Sequence, residues 1–147
     1  MAIKFSRTNG KYGCFSNFTI CNVEFDGATY KNSEAAWQAQ KTLDLNERRN
    51  FETMNPSEAK RFGRRVHLRK DWEDIKYDLM VDVCMAKFTQ NPELKEVLLS
   101  TGDEELIENT TGWHDNIWGS CDCERCKNKV GRNLLGKALM EVRSKLR

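Results

Sequence analysis

A chain of 147 residues is the length of one domain and can bury a core without staples of any kind. Its 24 Lys and Arg against 22 Asp and Glu leave a formal charge of +2, which excludes a binder that holds nucleic acid by bulk positive charge. No apolar run approaches bilayer length, and AIKFSRTNG after Met1 lacks the apolar core of a signal peptide, so the expected setting is the cytoplasm, away from membranes.

The first element predicted in chain order is a hairpin. FTICNVEFDGATY alternates around Asp26-Gly27, a pair suited to the positive backbone angles of a two-residue turn. SEAAWQAQK, residues 33–41, then reads as a helix with Ser33 as its cap and Glu34 in the first turn, where an acid complements the helix dipole. Ala35, Ala36, Ala39 and Leu43 fall on one side of it, and Glu34, Gln38 and Lys41 on the other, with Trp37 at the border. NPSEAKRFGRR and NPELKEVLLS each place an Asn cap before a proline at the first helical position. Between them Asp71 is positioned to cap a long helix, WEDIKYDLMVDVCMAKF, in which Ile75, Leu79, Met80 and Val83 recur at helical spacing. DEELIENTT is either a short strand or an extended connection. The tail GRNLLGKALMEVRSKL aligns Leu134, Leu135, Ala138, Leu139 and Val142 on one stripe and predicts an amphipathic helix. The fold class is therefore α+β, mainly α with a minor β hairpin, in one compact domain over 1–147.

Local charge is less even than the total. Residues 60–70 hold six Lys or Arg plus His67 and no acid, and residues 121–147 hold eight basic residues against three acidic ones. Both stretches can meet phosphate, or simply solvate helix faces. The six cysteines, in a reducing setting, are buried thiols, metal ligands or reactive groups before they are disulfides. Cys14, Cys21 and Cys84 sit singly among apolar neighbours and read as core. Cys121, Cys123 and Cys126 form a CxCxxC cluster that can close on a structural zinc, with His114 or a distant Cys as fourth ligand.

Three polar and aromatic groups are candidates for a pocket. In the first, Trp37 beside Glu34, Gln38 and Lys41 suits a pocket wall, although a solvated helix face has the same pattern. In the second, Phe15, Ser16, Asn17 and Phe18 can stack a flat ligand and bond its edge, or form a turn anchored in the core. In the third, WHDNIWG, Asp115 precedes Trp118 and Gly119, where glycine lets backbone approach a ligand closely.

Taken in order, GCFSNF, the DG hairpin, SEAAWQAQK, EAKRFGRR, LRKDWE, MAKF, LIENT, DNIWG and GRNLLGKALMEVR resemble the NADAR (YbiA-like) family of N-glycosidases over residues 13–143. The resemblance implies hydrolysis of a ribosyl C1–N bond. The substrate it implies is either a phosphoribosylamino-pyrimidine intermediate of riboflavin synthesis or ADP-ribosylated guanine in nucleic acid. It carries the acid of the family's SEH motif onto Glu34, the QAQK lysine onto Lys41 and the acid before the WG pair onto Asp115, with Arg64 and Arg69 as phosphate ligands. Trp72, Lys87 and Asn133 fall in matching segments and join the implied substrate-binding set. No cofactor is required by that chemistry. The resemblance further implies that Glu34 and Asp115 meet around a cationic sugar. Two departures stand out: Ala35 replaces the His that follows the acid in many relatives, and SCDCERCKNKVG replaces their Gly- and Asp-rich loop. A binding module that holds ADP-ribose or a modified base without cleaving it, and a zinc-knuckle nucleic-acid protein, are the competing classes.

Overall fold

The computed structural model describes residues 2–8 and 10–147. Among them, six α-helices and four strands follow one another, which makes the architecture mainly α with a minor β component. Two compact units divide the chain: a central unit, Asn17–Lys95, and a terminal unit that runs to Ser16 and resumes from Glu96 to Arg147.

The central unit begins with strands β2 (Ile20–Phe25) and β3 (Ala28–Asn32), paired antiparallel with Phe25 opposite Ala28. β1 (Ala2–Phe5) precedes them in the other unit. Asp26 and Gly27 turn the hairpin with φ of 50° and 84°, the double left-handed geometry that the DG pair predicts. Helix α1 (Ser33–Ala39) follows β3 without a loop. Its cap is Asn32 rather than Ser33: the Asn32 side chain accepts from the Ala35 amide at 2.7 Å, while the Ser33 hydroxyl donates to Asn17 Oδ1 at 2.9 Å. The register is one residue earlier because the amide side chain of Asn reaches the third helical N–H and also donates to the Met54 carbonyl.

All seven residues of α1 are buried, so the polar stripe is no solvated face. The helix ends before Leu43, which lies outside the apolar side predicted for it and is 65% exposed. α1 packs against β2, β3, α3 (Pro56–Phe62) and α4 (Trp72–Gln90), with α2 (Leu45–Asn50) between β3 and α3 in the chain. Asn55 caps α3 through a reciprocal box with Glu58 at 2.8 and 2.9 Å, and Pro56 is its first residue. Asp71 precedes α4 but gives it no side-chain cap, because Arg69 takes both carboxylate oxygens at 2.7 and 3.1 Å. On α4, Met80 and Val83 are buried, and Ile75 and Leu79 half-buried.

The terminal unit pairs β1 with β4 (Glu105–Glu108) in parallel, Ala2 opposite Glu105 and Phe5 opposite Glu108. Sequence left residues 105–108 open between strand and connection and placed nothing at residues 2–5, since a parallel partner a hundred residues away leaves no local mark. The unit boundary falls within α5 (Pro92–Ser100). α6 (Leu134–Leu146) packs on β4 with the predicted stripe, Leu134 to Val142, buried. Of the three cysteines read as core, Cys84 is buried, whereas Cys14 and Cys21 are only half-buried.

Candidate active site

α1 assembles the best-defined polar cluster of the central unit. Glu34 and Gln38, one turn apart, are 8% and 5% exposed, and Gln38 Nε2 donates to Glu34 Oε2 at 2.7 Å. The Gln38 Oε1 that remains is buried without a hydrogen-bond partner. Its neighbour is Gly63, where a Cβ would sit only 2.0 Å from that oxygen, so the side chain fits because position 63 has none.

Lys41, just past the end of α1, completes the group. Its Nζ lies 5.5 Å from the Trp37 ring centre and 5.8 Å from that of Trp72, close enough for cation–π attraction to both. The two indoles meet at 5.1 Å with a 54° tilt, and Trp37 Nε1 is fixed by the Lys76 carbonyl at 3.1 Å. Burial lowers the Lys41 pKa from the ordinary lysine value; the positive charges of Arg64 and Lys76 push it the same way, and the Glu34 carboxylate opposes them. Acid, amine and two indoles thus occupy one place, with the exposed Arg64 guanidinium in electrostatic reach.

Other predicted residues of the central unit have different surroundings. Arg69 is committed to Asp71 and to the Gln40 carbonyl at 3.4 Å. Asn17 is buried; its carbonyl accepts from the Glu34 amide at 3.1 Å, and its Nδ2 lies 3.4 Å from Met80 Sδ. It holds the start of α1 in place. Phe18 is half-buried, and Lys87 is fully buried with its Nζ 5.3 Å from the Phe88 ring centre. Sequence puts Gln38 on the polar stripe but assigns it no role in the site, and it does not single out Gly63 at all. The i,i+4 spacing of Glu34 and Gln38 was the available signal for the first, but nothing local marks Gly63 as its neighbour.

The terminal unit holds the remaining candidates. Phe15 is fully buried, edge-on to Phe5 at 5.6 Å and tilted against Tyr12 at 5.6 Å, so its ring packs the core instead of presenting a stacking face. Ser16 is buried, with its amide on the Gly13 carbonyl. Asp115 Oδ1 accepts from the Ile117 and Trp118 amides at 2.8 and 2.9 Å and so shapes a tight turn. Trp118 is half-buried. Gly119 is where backbone comes close, but to protein: a Cβ there would lie 2.3 Å from Thr110 Cγ2 and 2.7 Å from the Glu108 carbonyl. Asn133 adopts φ 52° ahead of α6 and spends its amide on β4, accepting from Glu108 N at 3.0 Å and donating to the Leu106 carbonyl at 2.8 Å.

His114 and the three clustered cysteines come together. His114 Nδ1 lies 3.3 Å from Cys121 Sγ, 3.3 Å from Cys123 Sγ and 3.6 Å from Cys126 Sγ. The Cys121 thiol is 3.3 Å from that of Cys123, which lowers the pKa of Cys123, while burial raises that of Cys121. All four ligand atoms lie within 4.8 Å of one another, a group that can hold a metal ion.

Comparison with known proteins places the chain in a family. The NADAR domain model matches residues 4–147. N-glycosidase YbiA of Shigella boydii is 40% identical over 98% of this chain and 88% of its own length. A riboflavin biosynthesis protein of Vibrio vulnificus is 33% identical over 98% of this chain, which spans 38% of that longer protein. The NMR structure of Escherichia coli YbiA superposes with a TM-score of 0.84 at 40% identity, covering 99% of this chain and 84% of that one. With the same fold and a family match that starts at residue 4 and runs to the last residue, the chain belongs to the NADAR family, that of the YbiA-like N-glycosidases.

Proposed function

We propose that this chain hydrolyses the bond between C1 of a phosphate-bearing ribose and a nitrogen of its base, with Glu34 and Lys41 as the groups that move protons. The observation that carries the reading is the Glu34 carboxylate: it is buried, held by Gln38 at 2.7 Å and within electrostatic reach of an ammonium that lies over two indoles. A buried acid facing an amine of lowered pKa is the pairing that separates base and acid roles.

As the C1–N bond breaks, positive charge builds on the ribosyl group and a carboxylate stabilises it. The oxygen of a water molecule bonds to C1 and gives a proton to Glu34. The departing nitrogen keeps the bonding electron pair and takes a proton from the Lys41 ammonium, which burial has made a better acid. Return of the proton from Glu34 to Lys41 resets both groups, and the products are the phosphate-bearing sugar, as ribose phosphate or ADP-ribose, and the protonated base nitrogen, on a free pyrimidine or on a guanine still in its strand. Trp37 and Trp72 offer flat apolar surface to the base, and Arg64 offers paired donors to phosphate. Asp115 enters as the second acid only through the family's motif. No cofactor takes part in this chemistry, and the Cys–His group has a structural role outside it.

The substrate is a phosphoribosylamino-pyrimidine of riboflavin synthesis or ADP-ribosylated guanine in nucleic acid. The riboflavin biosynthesis relative and a net charge of only +2 favour the free metabolite, met in the cytoplasm. Offering both substrates and separating the products decides the choice, since free phosphate-bearing sugar appears only from the true one. Glu34→Gln is expected to lower the rate of sugar release by about 10²–10⁴ with an unchanged far-UV circular dichroism spectrum. Full activity of that variant would remove Glu34 from the mechanism. Tight, salt-sensitive binding without product over long incubation would replace hydrolysis with a binding role.

A further inference from the structure

We propose that His114, Cys121, Cys123 and Cys126 form a complete four-ligand zinc centre whose work is to hold the turn that carries Asp115, Trp118 and Gly119. Three soft sulfur donors and one imidazole nitrogen are the donor set that a tetrahedral zinc site takes in proteins. Around one zinc, bonds of about 2.3 Å to sulfur and 2.0 Å to nitrogen put neighbouring ligand atoms roughly 3.5–3.8 Å apart. The separations here are 3.3 Å from His114 Nδ1 to Cys121 Sγ, 3.3 Å to Cys123 Sγ, 3.6 Å to Cys126 Sγ, and 3.3 Å between the Cys121 and Cys123 sulfurs. For these four pairs a shift of a few tenths of an ångström admits the ion, and all four ligand atoms lie within 4.8 Å of one another.

Spacing in the sequence leaves the fourth ligand open between His114 and a distant Cys, and the structure brings His114 to the three sulfurs. His114 lies seven residues before Cys121 and reaches the sulfurs from a backbone with φ of 58°, a conformation uncommon for a residue with a side chain. The peptide frame around the cluster is well tied. The Cys121 amide donates to Asn116 Oδ1 at 3.0 Å, the Asp122 amide to Thr111 Oγ1 at 3.4 Å, and the Cys126 amide to the Cys123 carbonyl at 3.0 Å. Lys4 pairs with Asp122 at 2.9 Å and anchors the same loop to β1.

Two of the ligands bracket the segment 115–120. Zinc bound between His114 and Cys121 closes the ends of that segment on a rigid centre, adding a metal crosslink to the turn that Asp115 makes with Ile117 and Trp118. Binding converts the three thiols to thiolates and releases their protons to solvent, so the centre has three anionic sulfurs and a neutral imidazole around Zn²⁺. It offers no open position for substrate, which makes it structural. This assignment does not depend on the proposed hydrolysis.

The test uses the full chain, expressed with added zinc and purified under a reducing atmosphere, with metal content measured by plasma emission. About one zinc per chain is expected, and a mercurial reagent added to the unaltered protein should release that zinc in step with thiol titration. Cys123→Ser should lose most of it. His114→Ala should hold zinc less tightly against a chelator and, refilled with cobalt, show a shifted visible spectrum. His67→Ala, at the separate Asp44, Glu47 and His67 group, should leave the zinc content unchanged. Zinc-free protein under these conditions, absence of thiol-linked release, or a cobalt spectrum indifferent to His114→Ala would each overturn the four-ligand centre. Limited proteolysis gives the loop readout: chelator-treated chain should be cut within residues 111–130 and zinc-loaded chain protected, and equal cutting of both would refute the bracing role.

Discussion

At the scale of single residues, Gln38 is the informative position. Its Nε2 orients Glu34, while its Oε1 is buried with no partner, a state that costs about 1–3 kcal/mol of stability. A strain of that kind persists where it serves a site. Gln38→Met keeps the volume, removes the unpaired oxygen and takes away the donor to Glu34. It is expected to leave thermal stability unchanged or higher while lowering turnover by roughly tenfold, as for other supports of a reacting group. A loss of stability together with unchanged turnover would show that Gln38 only fills space. Gly63→Ala attacks the same contact from the other side. The backbone there is ordinary, with φ of −59°, so the whole effect is steric. Pushing a methyl group into the Gln38 oxygen should cost about 1–3 kcal/mol in urea unfolding and disturb the Glu34 carboxylate as well. Helical spacing pairs Gln38 with Glu34, but no local pattern marks Gly63, because its meeting with Gln38 depends on α3 lying against α1.

At the scale of elements, the helix starts illustrate what local sequence controls. Asn55-Pro56 with Glu58 announces α3, and its capping box is present in full. At α1 the sequence points to Ser33, and packing moves the cap one residue earlier, to Asn32. Ser33 is withdrawn to bond Asn17, and Asn32 takes both the Ala35 amide and the Met54 carbonyl. Asn55→Ala should therefore cost about 1 kcal/mol, the ordinary value for an exposed cap. Asn32→Ala should cost about 2–3 kcal/mol, since it also strands a carbonyl beside a fully buried side chain. Urea melts of the two variants check the order, and equal losses would mean that the Met54 bond contributes little. Asp71 shows the opposite outcome. It stands where a cap belongs, yet the guanidinium of Arg69 outcompetes the helix amides for its carboxylate.

At the scale of the whole molecule, charge pairing sets how stability depends on acidity. The Glu47 pKa is lowered below 4.5, first by the Thr42 hydroxyl and then by His67, and that of Asp71 below 3.8 by the Arg69 hydrogen bonds. Both carboxylates bind protons less readily folded than unfolded. Their contribution is thus present above those ordinary values and is lost as pH falls through the lowered ones. The melting temperature should stay nearly level from pH 7 to about 5 and drop below about 4.5, with a shallower drop in Glu47→Gln. An identical profile for that variant would place the acid sensitivity elsewhere. Glu47 ties residues 42–47 to His67, and Asp71 holds Arg69 two residues away, so the loss begins in the central unit.

Amino-acid order alone determined the elements whose cause is local: the Asp26-Gly27 turn, the Asn-Pro helix starts, the stripe of α6, and the acid and tryptophan of one short helix with the lysine just past its end. It also exposed the CxCxxC cluster, since spacing is all that such a cluster requires. Tertiary structure decided the rest. It set Gln38 against Gly63, gave Asp71 to Arg69, buried Phe15 beside Phe5, turned Gly119 toward Glu108, paired β1 with β4 and brought His114 to the cysteines. Each of these is settled by which partner a group meets across space. That competition among donors, charges and volumes has no period along the chain, and packing alone resolves it.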